Sequence, residues 1–516
     1  MQDLCERLSL RVADLPRAGT RAHFAFVTAG IILLAVVIFV PACGNGGGKG
    51  TPAPPAMPAI SNINNATEPS SPVNVLIQIN GSGFQNSPGS VVFTQSSTGI
   101  TATVTPKSTA WTDTSIGVNV PSGDGTHSFT VPGEVDVKVT TSSGTSSAVT
   151  LELTRTFSLN INNVTWTSLT TPLPAPLTGM AAVAVPSSDT QAFVVVTGGF
   201  DGSSNLSQVL SNTINTNGQV GPNWLTIPTN PLPETIAYHA MVEADARNSP
   251  VPSGSHFIYV IGGQVNSRDT PGGTTIIYRA SVDSNSGAVG AWTQLSSPLP
   301  EPLLGMAAVL YNGYVYLIGG LRPDSTPSNR IYTAPVKSDG TLGTWTQQAN
   351  NYPLAVSFAT AFVYSGKLYV LDGDTANSLA PSAQGNTGVN SVYFANVLNG
   401  SVGAWTQTTP TIANRKKAVV WTVSNLVISA EGVYGTGPGT NEVEYSTINP
   451  DGTLAPWIAV PSGGLIKANV YNAAAILSPL LTTTTLAPRM LLLGGQQFTT
   501  FQQSNLINEV YYNNSP

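Results

Sequence analysis

Charge is scarce in this chain of 516 residues: Asp, Glu, Lys and Arg together make up 9% of it, against roughly 25% in an ordinary soluble protein. Ser, Thr, Asn and Gly supply the polarity instead, and these are residues of turns and strand ends. No long 3.6-residue periodicity occurs beyond the N-terminus, so a helical core is excluded and an all-β fold is expected. Cysteine is nearly absent. Cys5 and Cys43 both precede the region expected to fold, which removes disulfides, thiolate nucleophiles and Cys-based metal sites from it. Only His239 and His256 are available to the C-terminal two-thirds, so no metal site and no cofactor are expected there. A net charge of −6 over this length supplies no basic field, which excludes nucleic acid as a partner.

What the N-terminus does have is an address. Arg7, Arg11, Arg17 and Arg21 precede an uncharged run, "FAFVTAGIILLAVVIFV" at 24–40, as a secretory signal requires. The run ends in "VPAC" at 40–43 and so resembles a bacterial lipoprotein signal, which implies lipidation of Cys43. An uncleaved transmembrane anchor and simple secretion are the alternatives, since 17 apolar residues reach the lower limit for spanning a bilayer. All three place the remainder outside the cytoplasm, and the lipid or the transmembrane segment would anchor it to the bacterial cell envelope. Residues 1–43 are therefore read as the targeting segment and 44–57, rich in Gly and Pro, as a flexible tether.

Residues 58–154 form short alternating runs, among them "VNVLIQINGSGF", "SVVFTQ", "TATVTP" and "SIGVNVP", separated by Gly, Asn, Ser and Pro. That is the pattern of an antiparallel sandwich. "PAISNI" at 58–63, "INGSGF" at 79–84 and "AWTDTSIGVNVP" at 110–121 resemble the IPT/TIG family of immunoglobulin-like domains, whose members serve as spacers or interaction modules. Trp111 is read as a packing residue at a sandwich edge.

Residues 155–516 repeat. Apolar strands end on glycine pairs at Gly199, Gly263, Gly320 and Gly495, with the variants Asp372-Gly373 and Glu431-Gly432, at spacings of 53 to 64 residues. Trp166, Trp224, Trp292, Trp345, Trp405 and Trp457 recur with them, most after turns such as "DGTLGTW". Each unit reads as four short antiparallel strands, the pattern of a propeller blade. The unit resembles the Kelch family, whose second strand ends in Gly-Gly. Six copies imply a six-bladed propeller. The strand at Trp166 is expected to complete the last blade beside the C-terminus, leaving no open sheet edge.

The chemistry is less marked. Kelch-like copper-radical oxidases resemble a two-His, two-Tyr, one-Cys site that this inventory excludes. "SDGTLGTW" at 338–345 approaches a sialidase Asp-box but misses its register. "GNGGGKG" at 44–50 has no preceding strand and is linker, not phosphate loop. Asp372, Asp374 and Glu431 stand at second-strand ends, where propeller ligands bind, and Arg415, Lys416 and Lys417 replace the Gly-Met that leads into other units. Asp372, Asp374, Arg415, Lys416 and Glu431 are the candidate ligand-binding residues; turn caps and a solvated loop are the plain alternative. The expected role is non-catalytic: a monomeric, envelope-anchored binding or adhesion protein presenting loops 264–275 and 374–390 to a glycan or an extracellular protein. The resemblance also leaves open a sugar isomerase, epimerase or lyase of the sialate-mutarotase type, which needs a carboxylate and a base facing the axis. A purely structural scaffold is the third reading.

Overall fold

The computed structural model describes residues 55–156, 159, 164–188, 191–215, 220–225, 227–265, 273–376, 387–434, 442–460, 474–477, 490–500 and 503–514. The targeting segment, with Cys43, and most of the tether lie outside them. Among the described residues no helix is long and apolar enough to cross a membrane. Among the described residues the secondary structure is all-β apart from one 3-10 turn at Ser108–Ala110.

Two sheets make up the N-terminal part. Ala59–Ile63, Leu76–Ser82 and Ser115–Asn119 form one; Ser70–Pro72, Val149–Thr154, Gly133–Thr141, Ser90–Gln95 and Ile100–Val104 lie side by side in the other. Alternation in the sequence becomes alternation of burial: along Ser90–Gln95 every second residue is buried. Ile77, Ile79, Val91, Phe93, Val137 and Leu151 from both sheets share one core. Trp111 packs there edge-on to Phe84, and its Nε1 donates to the Phe84 and Gln85 carbonyls at 3.0 and 2.9 Å.

The remaining described residues form six main sheets. Their first strands are Ala181–Ser188, Ala240–Ala244, Ala307–Tyr311, Thr360–Tyr364, Val419–Val423 and Ala474–Leu477. Each packs on the next, and the last packs on the first. A closed cycle of sheets around one axis is the arrangement of a β-propeller. Second strands such as Tyr314–Ile318 and Lys367–Leu371 are buried from their second residue onward. Flanked by neighbouring sheets on both faces, they are apolar from that residue on instead of alternating.

The first and last described strands of the ring meet in the sixth sheet, whose order is Thr165–Ser168, Gln503–Asn514, Met490–Thr500, Ala474–Leu477. Thr165 stands opposite Asn514 and Ser168 opposite Tyr511. The first sheet departs from the repeat: it has three strands, and Trp224 lies in a turn. Pro222 breaks the ladder there, and the Asn223 side chain accepts from the Leu225 N–H at 2.9 Å, closing a local turn in place of a strand.

Tryptophans fasten neighbouring units. Nε1 of Trp292, Trp345, Trp405 and Trp457 donates to the carbonyls of Asn230, Ser297, Asn350 and Thr409, at 2.9 to 3.3 Å. Each acceptor belongs to the unit before. Trp345, 8% exposed, packs in the same core as Leu295 and Leu299 of that preceding unit. The sandwich seats on the ring by similar polar contacts. Thr67 Oγ1 donates to the Val251 carbonyl at 2.8 Å, Asn65 Nδ2 to that of Asn312 at 2.9 Å, and the Leu76 N–H to Ser365 Oγ at 3.0 Å. The Glu68 N–H donates to the Ala246 carbonyl at 2.8 Å.

Beside that contact, Glu243 Oε1 lies 2.8 Å from His256 Nδ1, and Arg247 pairs with Asp245. Burial pushes the Glu243 carboxyl from 4.5 up to about 7 against the opposing His256 bond, with Asp245 adding to the rise. The folded protein thus holds this proton to higher pH than the unfolded chain does. The group's contribution to stability is greatest below about pH 4.5 and declines as pH rises toward 7.

Two outcomes follow for stability. Trp345→Ala should cost about 3–5 kcal/mol in denaturant unfolding; a loss under about 1 kcal/mol would show that the ring is not wedged between sheets. Glu243→Gln should raise the melting temperature at pH 8 more than at pH 4. Superimposable melting-versus-pH curves for the two proteins would contradict the burial of this carboxyl.

Candidate functional site

The repeat builds its own axis. Two positions before five of the six first strands the backbone is left-handed: Gly179, Tyr238, Gly305, Phe358 and Lys417, with φ between 53° and 62°. From Tyr238 onward, the N–H of each donates to the carbonyl of its predecessor around the ring. The distances are 2.7 Å for Tyr238 to Gly179, 2.8 Å for Gly305 to Tyr238, 2.7 Å for Phe358 to Gly305 and 3.0 Å for Lys417 to Phe358. From Gly179 to Phe358 small and large residues alternate for a steric reason. A Cβ at Gly179 would lie 2.7 Å from the Tyr238 ring, and one at Gly305 2.7 Å from the Phe358 ring.

These residues line an axial cavity of about 140 Å³, together with Met180, His239, Met306, Ala359 and Ala418. Tyr238 and Phe358 meet edge to face, 5.9 Å between centroids, and Lys417 Nζ lies 4.4 Å from the Phe358 ring centre. His239 is 6% exposed and sits 2.8 Å from Thr197 Oγ1 through Nε2. Burial lowers its pKa from 6.5 to about 3, so the imidazole is neutral at physiological pH.

The strand-end pairs surround the axis. In all six units the first member has φ between 57° and 66°, and the second between 97° and 115°. Asp372-Gly373 and Glu431-Gly432 keep the same geometry as the true glycine pairs. Close approach explains why glycine is the usual first member: a Cβ at Gly319 would come within 2.3 Å of the Val356 carbonyl oxygen. Asp372 and Glu431, at φ 59° and 62°, hold a conformation that costs an ordinary residue about 1–2 kcal/mol.

The structure brings the five sequence candidates together, and it places them inside. Asp372, Asp374, Arg415, Lys416 and Glu431 are each at most 1% exposed. Arg415 lies with Nε 3.8 Å from Asp372 Oδ2, pairs with Glu444, and donates from Nη1 to the Glu431 carbonyl at 3.3 Å. Lys416 Nζ reaches Asp374 Oδ2 at 2.8 Å and Thr387 Oγ1 at 3.2 Å. Thr411 Oγ1 donates to Asp372 Oδ1 at 2.6 Å. Burial nonetheless raises the Asp372 carboxyl from 3.8 to about 6, against the pull of Arg415 and the Thr411 bond. These charges answer one another along the seam between the fourth and fifth sheets. Of the three cations, Lys417 is the one that reaches the axial cavity.

Sequence reasoning missed Glu444, Thr411 and the aromatic plug. Glu444 had a signal: it stands where other units carry Tyr278, Tyr332 and Tyr393, in the same unit that replaces an apolar approach with Arg415 and Lys416. Of the proposed rim, 266–272 and 377–386 lie outside the described residues. One metal-capable group exists among the described residues: Glu243, Asp245 and His256 have ligand atoms within 4.8 Å of one another. It lies on the sandwich side and is already engaged by Arg247.

No family model matches the chain. It is similar to alpha-scruin of Limulus polyphemus, 29% identical over 178 residues, which cover 34% of this chain and 18% of that protein. It is also similar to beta-scruin of the same organism, 30% identical over 196 residues, covering 37% and 19% respectively. The chain thus spans less than a fifth of the length of these relatives. A solved structure of YjhT covers 66% of this chain and 95% of its own at 12% identity, with a TM-score of 0.46. The likeness to the scruins, which are Kelch-repeat proteins, together with the all-β ring, supports a Kelch-type propeller.

The seam gives a sharp expectation. Arg415→Ala strands the buried Asp372 and Glu444 carboxylates and should cost about 3–5 kcal/mol in chemical denaturation. A loss under about 1 kcal/mol would mean that these carboxylates find other partners or reach water.

Proposed function

We propose that the protein is an envelope-anchored, extracytoplasmic binding protein. A targeting segment ending at Cys43 would hold an immunoglobulin-like sandwich of IPT/TIG type and a six-bladed Kelch-type propeller outside the cell. The propeller then offers one face to a glycan or an extracellular protein, and the molecule acts as a monomer.

The observation that carries this reading is one-sided covering. The sandwich bonds to Ala246, Val251, Asn312 and Ser365, all in or beside turns at the ends of strands away from the glycine pairs. The face with the glycine pairs and the axial cavity carries none of these contacts. The six sheets with matched backbone geometry support the count of blades, and the two-sheet core with Trp111 supports the sandwich assignment. A sugar isomerase or lyase would need carboxylates lining the axial cavity. Asp372, Asp374 and Glu431 are instead held in the seam beside it, which favours binding over chemistry.

The test uses the full chain in lipid nanodiscs on a glycan array and against surface-protein extracts. Short Gly/Ser turns in place of 264–275 and of 374–390 should leave the melting temperature nearly unchanged and abolish the binding found. Binding that survives both replacements contradicts presentation by this face.

A further inference from the structure

A second cavity lies on the other side of the ring, between ring and sandwich. It measures about 490 Å³, within the roughly 300–1,000 Å³ of small-molecule sites, whereas the axial cavity at about 140 Å³ falls below that range. Ligand sites also favour boundaries between two packed units. Tyr314, Pro250 and Pro335 line it from the ring, and Ser61, Asn62 and Asn65 from the sandwich.

The chemistry of that lining is selective. No Asp, Glu, Lys, Arg or His is part of it, so an ionic ligand would find no counter-charge. Amides and hydroxyls, each both donor and acceptor, alternate with an aromatic ring and proline rings. Asn62 uses its Oδ1 to accept from the Asn65 N–H at 3.0 Å and from Asn80 Nδ2 at 2.9 Å. Its Nδ2 donates to no protein atom among the described residues, and the exposed Ser61 hydroxyl bonds to none either. The cleft thus offers unspent uncharged donors beside apolar ring faces.

An extended peptide is the competing occupant, because Ala59–Ile63 is an edge strand. Its edge is blunted, however: the register shifts between Ile60 and Asn62, and Ile63 bridges back to Ala66. A bulge and a fold-back of this kind obstruct strand addition.

We propose that this cleft binds a neutral oligosaccharide, with hydroxyls held by Asn62 and Ser61 and a sugar face laid on Tyr314. The inference does not depend on the glycine-pair face, and the two sites can fail separately.

The test is titration calorimetry of the full chain in nanodiscs with cellotriose, maltotriose, N-acetylchitotriose, trigalacturonate and a proline-rich peptide. At least one neutral trisaccharide should bind. Tyr314→Ala should weaken it about tenfold, the loss of one aromatic contact. Ser61→Trp, at an exposed position and so compatible with folding, should block it by filling the cleft. Replacement of loops 264–275 and 374–390 should leave it unchanged, which separates this site from the opposite face. The proposal is overturned if no neutral trisaccharide binds, if only trigalacturonate or the peptide does, or if binding survives both Tyr314→Ala and Ser61→Trp.

Discussion

Everything in the ring depends on a backbone constraint at the end of each second strand. There, two successive residues take positive φ so that the second N–H reaches the next sheet. Gly199 donates to Ile236, Gly263 to Leu303, Gly320 to Val356 and Gly373 to Arg415, at 2.8 to 3.0 Å. Gly495 donates to Leu177 at 2.7 Å and so joins the last sheet to the first. Side chains wedge and seal the sheets, but these bonds set the distance at which they meet. That distance leaves no room for a Cβ at most first-member positions.

The two exceptions show how a site can be built on such a frame. Where the first member is Asp372 or Glu431, the approach of the next unit is changed as well. Arg415 and Lys416 take positions that are apolar or small elsewhere, and Glu444 takes the place of a tyrosine. A seam that would have been apolar becomes ionic, at a cost in desolvation that only close pairing offsets. One consequence is geometric: the adjoining Lys417 is delivered to the axis, against Phe358. The ring face therefore has a single positively charged sector among the described lining residues, beside aromatic rings and a neutral histidine.

The fold was largely legible, because its signals are local. Paired glycines, recurrent Trp and apolar second strands each report a steric requirement satisfied within one unit. Asp372, Arg415 and their neighbours were legible as departures from the repeat, which is why they were singled out. Their burial was not legible, since a charged residue at a strand end reads as exposed until its partner is known, and that partner, Glu444, lies in another strand. The missing fourth strand at Trp224 turned on Pro222 and Asn223, a local cue outweighed by the repeat. The seating of the sandwich on the ring rests on single hydrogen bonds from Thr67, Asn65 and Leu76, between residues about 180 to 290 positions apart. No periodicity encodes such contacts.

Closure of the ring by its own first and last strands is the central claim, and a disulfide tests it most directly. Thr165 and Asn514 are paired across the sixth sheet, and opposed antiparallel residues have Cα atoms about 4.5–5.5 Å apart, within disulfide reach. In a chain with Cys5 and Cys43 changed to Ser, Thr165→Cys combined with Asn514→Cys should form an intramolecular disulfide under mild oxidation and raise the melting temperature. Two thiols that stay free in the folded protein, or that bridge only between molecules, would contradict the closure.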